Sequence, residues 1–185
     1  MREQRPPRPI TPDGLERAAL AYLERFASSV ASLRRVLMRR VERAARHDGS
    51  DPAPHVATID TLIARLQQSG LLDDRRFAEA KAASLHRQGR SIRRIRDQLG
   101  AKGIQQDDSA AALDALIDDV GGDTDLRAAC ALARRRRLGP WRTAEARALW
   151  RDRDLAALGR GGFDYQTARR IVDAPSVMAL LEEID

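Results

Sequence analysis

The chain has 185 residues, 43% of them hydrophobic but only 4% aromatic, and its richness in alanine, leucine and arginine favours close-packed helices over sheets. No apolar run approaches the roughly 20 residues of a membrane span, and MREQRPPRPITPDG at the start has charge with no apolar stretch behind it, so no secretory signal is expected. A single cysteine, Cys130, excludes an intramolecular disulfide, and a net charge of +6 points to polyanionic partners, either nucleic acid or an acidic protein surface.

The proline- and arginine-rich residues 1–12 read as a disordered basic tail. Thr11-Pro12 then pairs a hydroxyl N-cap with proline at the first helical position, and Leu15, Ala19, Tyr22, Leu23 and Phe26 recur at helical spacing. A second helix is expected from Ser28 or Ser29, with Val30, Leu33, Leu37 and Val41 on one face and Arg35, Arg39 and Arg43 in a row away from it. The loop HDGSDPAP (47–54) follows. A third helix carries Val56, Ile59, Ile63 and Leu66 and ends at Gly70.

The plan then repeats. Asp73 or Asp74 caps a helix that ends at Gly89. Ser91 opens a short one with Ile92, Ile95 and Leu99 inward and Arg93 and Arg96 outward, closed by Gly103. Asp107, Asp108 or Ser109 starts a third, which stops at Gly121-Gly122. The last round begins at Asp123 or Thr124, runs into RRRR (134–137) and breaks at Gly139-Pro140. Its middle helix holds Ala146, Leu149, Trp150, Leu155 and Leu158. Phe163-Asp164 pairs a staple with an N-cap for a closing helix that Pro175 terminates.

The middle helices align as SVASLRRVL (29–37), SIRRIRDQL (91–99) and, more weakly, the segment ending DLAAL (154–158). The expectation is an all-α fold of three tandem three-helix repeats, 13–70, 71–122 and 123–185 with a C-terminal tail, forming an elongated, curved array.

Catalytic chemistry is hard to find. His47, His55 and His86 lie on different elements with no second ligand at metal spacing, and read as solvent-exposed. Cys130 sits among alanines as a small core residue. The pairs Asp73-Asp74 and Asp107-Asp108 stand where carboxylates cap helix starts, which weighs against a metal-dependent nuclease; Asp118-Asp119 has no such explanation. GRGG (159–162) lacks the Lys-Ser or Lys-Thr and the preceding strand of a phosphate loop. No enzyme, metal or cofactor is expected. Trp141, Trp150 and Tyr165 suit core burial better than base stacking.

The arginine runs remain. Arg34-Arg35, Arg39-Arg40, Arg93-Arg94, Arg96 and Arg134 to Arg137 are either solvated helix faces or a stripe that meets phosphates or acidic groups. A GC-rich genome by itself produces the skew from lysine, present only at Lys81 and Lys102, to arginine.

GLLDDRRFAEAKAASLHRQGRSIRRIRDQLGAKGI (70–104) resembles the central signature of the bacterial RecX family of recombination regulators: Gly, two apolar residues, Asp-Asp, an Arg-Phe-Ala step, a Gly before a short helix, Arg-Ile-x-x-x-Leu, then Lys-Gly-Ile. ALAYLERFASSVASLRRVL (19–37) resembles the family's first repeat, and GGFDYQTARRIVD (161–173) its closing Gly-Phe-x-Tyr helix. The resemblance implies a cytoplasmic, non-enzymatic protein of DNA repair and the SOS response. Such a protein lies in the groove of a RecA–DNA filament and inhibits filament extension, ATP hydrolysis and strand exchange. It implies Arg93, Arg94, Arg96 and Lys102 as first contact candidates, then Arg35 and Arg39, then Arg134, Arg135, Arg136 and Arg137. The expected partners are the RecA filament and single- or double-stranded DNA, with no membrane, and the expected state is a monomer. The alternative is a stand-alone basic protein that competes for single-stranded DNA.

Overall fold

The computed structural model describes residues 9–184, so most of the expected basic tail lies outside the described residues. Among the described residues the fold is all-α. Its ten helices are α1 (Pro12–Leu23), α2 (Val30–Asp48), α3 (Pro54–Gln68), α4 (Asp74–Arg87), α5 (Ile92–Ala101), α6 (Gln106–Val120), α7 (Thr124–Arg136), α8 (Ala144–Gly161), α9 (Tyr165–Val172) and α10 (Val177–Ile184), with no strand. A single 3-10 turn, Gly139–Trp141, stands before α8.

Start signals act largely where the sequence puts them. Thr11, Ser29, Asp123 and Asp164 each accept a backbone N–H with their side chains at the head of α1, α2, α7 and α9, and Asp73 accepts from Arg76 N–H at the head of α4. Each such cap supplies about 1 kcal/mol by satisfying a donor that the helix cannot. Helix α6 departs from expectation. It begins at Gln106 without a side-chain cap, and Asp107 and Asp108 occupy its first turn, where they favour the dipole. The expected C-terminal tail is also helical: α10 follows the Pro175 break.

The chain divides into two units, one running to Phe77 and including Lys102–Ile104, the other formed by Ala78–Ala101 and the residues from Gln105 onward. In the first, Leu15 and Ala19 of α1, Leu33, Leu37 and Val41 of α2, and Ile59, Leu62, Ile63 and Leu66 of α3 form one core with Leu72. In the second, Leu126, Ala129 and Ala133 of α7 pack with Leu158 of α8, Ile171 of α9 and Leu180 of α10. Each fully buried leucine or isoleucine contributes about 1.5–3 kcal/mol. Leu149 lies in the middle helix of the last round as expected, and there it is 81% exposed.

One device recurs, once in each unit. Ser29 caps α2, and its Oγ also donates to the Lys102 carbonyl at 2.6 Å, while Val30 N–H donates to Asp74 Oδ1 at 2.8 Å. Ser91 plays the same part for α5: its Oγ accepts Arg94 N–H and donates to the Gly161 carbonyl at 3.2 Å, while Ile92 N–H donates to Asp125 Oδ1 at 2.8 Å. In both cases the residue after the accepting carbonyl is a glycine at positive φ, Gly103 or Gly162. A β-carbon on Gly103 would collide with Ala31, and one on Gly162 with Ser91 and Arg94. The start of each middle helix is thus clasped by a serine hydroxyl, a carboxylate from elsewhere in the chain, and a backbone that approaches closely only because it lacks a side chain. Thr143, at the head of α8, makes no such side-chain bond.

Candidate interaction surface

In the second unit, α5 turns Ile95 and Leu99 inward and leaves Arg93 and Arg96, three residues apart, exposed along one face. Neither arginine has an ion-pair partner among the described residues. Arg94 is different. Its Nη2 donates to the Arg160 carbonyl at 3.1 Å, its Nη1 lies 3.7 Å from Asp97, and its stem runs against Gly162. It therefore fastens α5 to the end of α8, although sequence reasoning treats it as equivalent to its neighbours.

In the first unit, Arg35 and Arg39 are exposed at i, i+4 on α2. Arg35 folds back on its own helix, with Nε donating to the Ala31 carbonyl and Nη2 to Ser32 Oγ, each at 3.3 Å. Arg39 projects unpaired among the described residues. Lys102 is exposed, while its carbonyl belongs to the Ser29 clasp.

Arg134, Arg135 and Arg136 occupy the last turn of α7, where cations complement the negative end of the helix dipole. Arg137 then caps the helix in the left-handed conformation, at φ 55°, and is the one non-glycine residue with positive φ among those described. Leu138 N–H closes the cap by donating to the Ala133 carbonyl at 2.9 Å.

Arg136 also edges a solvent-facing recess of about 430 Å³, together with Arg142, Arg153 and Arg160, Trp150 and Asp154. The Arg142 and Arg153 guanidinium carbons lie 5.0 and 4.7 Å from the centre of the Trp150 ring. Asp154, 2% exposed, accepts Gly139 N–H at 2.9 Å and a two-pronged bond from Arg142, both prongs at 2.7 Å. That pairing holds the Arg142 guanidinium pKa above its ordinary value. Sequence reasoning missed this basic recess because its cations come from the end of α7, the turn after it and the length of α8. Their only local signal is the spacing Arg153 to Arg160, seven residues apart on one helical face.

Of the aromatic residues assigned to the core, Trp141 packs against it, Trp150 is half-buried, and Tyr165 stands 64% exposed. His86, expected in solvent, is buried, and its Nε2–H donates to the Thr124 carbonyl at 2.8 Å. Cys130 is buried as expected, and burial pushes its thiol pKa up to about 11, which keeps it unreactive. The described residues hold no group of three or more His, Cys, Asp or Glu side chains able to bind a metal ion, and no described helix is long and apolar enough to cross a membrane.

Residues 73–113, which contain α5 and its arginines, match the family model described as RecX, second three-helix domain. The chain is 40% identical over 169 residues to "Regulatory protein RecX" of Myxococcus xanthus (strain DK1622), covering 91% of this chain and 89% of that protein. It is 27% identical over 155 residues to "Regulatory protein RecX" of Agrobacterium fabrum, covering 84% of this chain and 79% of the relative.

Proposed function

The chain belongs to the RecX family of regulatory proteins, and from that premise we propose that it is a non-enzymatic regulator that binds the RecA–DNA filament in its groove and inhibits recombinase activity. The observation that supports this most is the pair of exposed, unpaired arginines, Arg93 and Arg96, on the helix of the family-matched segment that the Ser91 clasp holds in place. Guanidinium groups without carboxylate partners carry little internal stabilising role, and they are suited to phosphates or acidic side chains on a filament.

Within this proposal the protein works in the cytoplasm as a monomer of three repeats, 13–70 with α1 to α3, 71–122 with α4 to α6, and 123–185 with α7 to α9 followed by α10 in the C-terminal tail. Many individually weak contacts then add along a repeating filament by raising effective concentration. The test is ATP hydrolysis by preformed recombinase filaments on single-stranded DNA, with this protein added well below one copy per recombinase subunit. A steep fall at substoichiometric addition is expected. A fall only at amounts that coat the DNA would replace filament inhibition with simple competition for single-stranded DNA.

A further inference from the structure

We propose that the recess around Trp150 is a binding site for the phosphodiester backbone of a nucleic acid. The charge pattern carries this. The recess has one carboxylate, Asp154, and both its oxygens are already occupied by Arg142 and by Gly139 N–H. Arg136, Arg153 and Arg160 line the same recess with no carboxylate partner among the described residues. Three like charges gathered without a counter-ion repel one another, and an oxyanion entering the recess removes that repulsion while accepting their N–H groups.

The site is also prearranged. The Trp150 ring holds the guanidinium of Arg153 by a cation–π contact and is itself braced by Arg142, which Asp154 anchors. The Arg160 backbone is tied through its carbonyl to Arg94. The Arg153 side chain therefore loses less freedom on binding than an arginine projecting from a bare helix.

The chemistry favours phosphodiester over an acidic peptide. The cations stand round the rim of an open recess rather than forming a single fork for one carboxylate. The aromatic ring that would anchor a peptide side chain is already covered by guanidinium groups. Sequence-independent binding to a phosphate backbone, by contrast, needs only charge at the right spacing.

This inference supplies a DNA contact within the filament proposal, but its test uses DNA alone, so either can fail without the other. The full chain is titrated against a fluorescein-labelled thirty-residue oligothymidylate, with anisotropy read across a range of KCl concentrations. The variant carrying Arg136→Gln, Arg153→Gln and Arg160→Gln is expected to flatten the slope of log K against log salt by roughly 2, since each phosphate contact on a single strand contributes about 0.7. Arg160→Gln alone, at an exposed side chain with no ion-pair partner among the described residues, is expected to flatten it by about 0.7 and serves if the triple variant does not fold. Slopes identical to the parent's in a folded variant overturn the proposal. So does displacement of the DNA by polyglutamate at equal charge concentration, which would assign the recess to an acidic protein surface.

Discussion

Asp125 caps a helix to which it does not belong: lying in the first turn of α7, its Oδ1 accepts the N–H of Ile92, the first residue of α5, at 2.8 Å. Asp74 does the same for Val30 at the same distance. The N-termini of the two middle helices are thus satisfied from outside, so these helices depend on the next part of the chain for their starts.

The Asp125 carboxyl also has its pKa raised, first by burial and then by the neighbouring carboxylates Asp123 and Asp164; the Ile92 N–H and His86 act in the opposite direction. A carboxyl with a raised folded-state pKa binds more protons folded than unfolded, so its contribution falls as pH rises from the ordinary carboxylate value through the raised one. Asp125→Asn keeps an acceptor for Ile92 without the charge. It should be at least as stable as the parent at pH 7 and lose that relative advantage at pH 4, read by urea denaturation at both.

Gly103→Ala should destabilise far more than Gly49→Ala, although both glycines have φ near 75°. The left-handed conformation costs each about 1–2 kcal/mol. At Gly103 the new methyl also meets Ala31, adding roughly 1–3 kcal/mol of overpacking, whereas nothing lies within 4 Å of the methyl at Gly49. Equal melting temperatures for the two variants would contradict this.

Asp154→Ala leaves the Arg142 guanidinium and Gly139 N–H without their shared acceptor. Breaking a pair with one member so deeply buried costs about 3–5 kcal/mol. Chemical denaturation should show that loss, whereas Asp152→Ala, at a 98% exposed side chain two residues away on the same helix, should change stability by less than about 0.5 kcal/mol.

Arg137→Gly should stabilise the fold. Relief of the left-handed strain, about 1–2 kcal/mol, outweighs the roughly 0.4–1 kcal/mol of additional unfolded-chain entropy that glycine brings. A net gain of about 0.5–1 kcal/mol in urea denaturation is expected, and a loss would show that the arginine side chain holds the cap.

Arg93→Glu combined with Arg96→Glu should weaken filament inhibition about tenfold or more with helicity unchanged, since a lost charge-assisted contact is worth about 1.5–3 kcal/mol. Arg94→Glu should behave differently. It strips the Arg160 carbonyl of a donor and the Gly162 backbone of its packing, so its first effect is on thermal stability.

Features that act over a few residues were legible in advance. Ser29, Asp73, Asp123 and Asp164 cap where their residue types predict, because an N-cap is a contact between positions three apart. His86, Arg94 and Asp154 were not, because each is defined by a partner on another element: the Thr124 carbonyl, the Arg160 carbonyl and Arg142. The three-residue spacing of Arg93 and Arg96 marks a shared face but says nothing of where a third cation lies. The Trp150 recess needed α7 and α8 brought together before Arg136, Arg153 and Arg160 became one group.

The clasps set the smallest piece that can be cut out and kept whole. A fragment trimmed to the matched segment 73–113 contains Asp74, Ser91, Ile92 and Lys102, yet excludes Val30, Gly161, Asp125 and Ser29, the groups to which each is bonded. Such a fragment would carry Arg93 and Arg96 on a helix whose start is no longer held. For this chain a boundary drawn by sequence likeness is not a boundary for expression, and a fragment meant to isolate the middle segment needs Ser29, Val30, Asp125 and Gly161 from its neighbours.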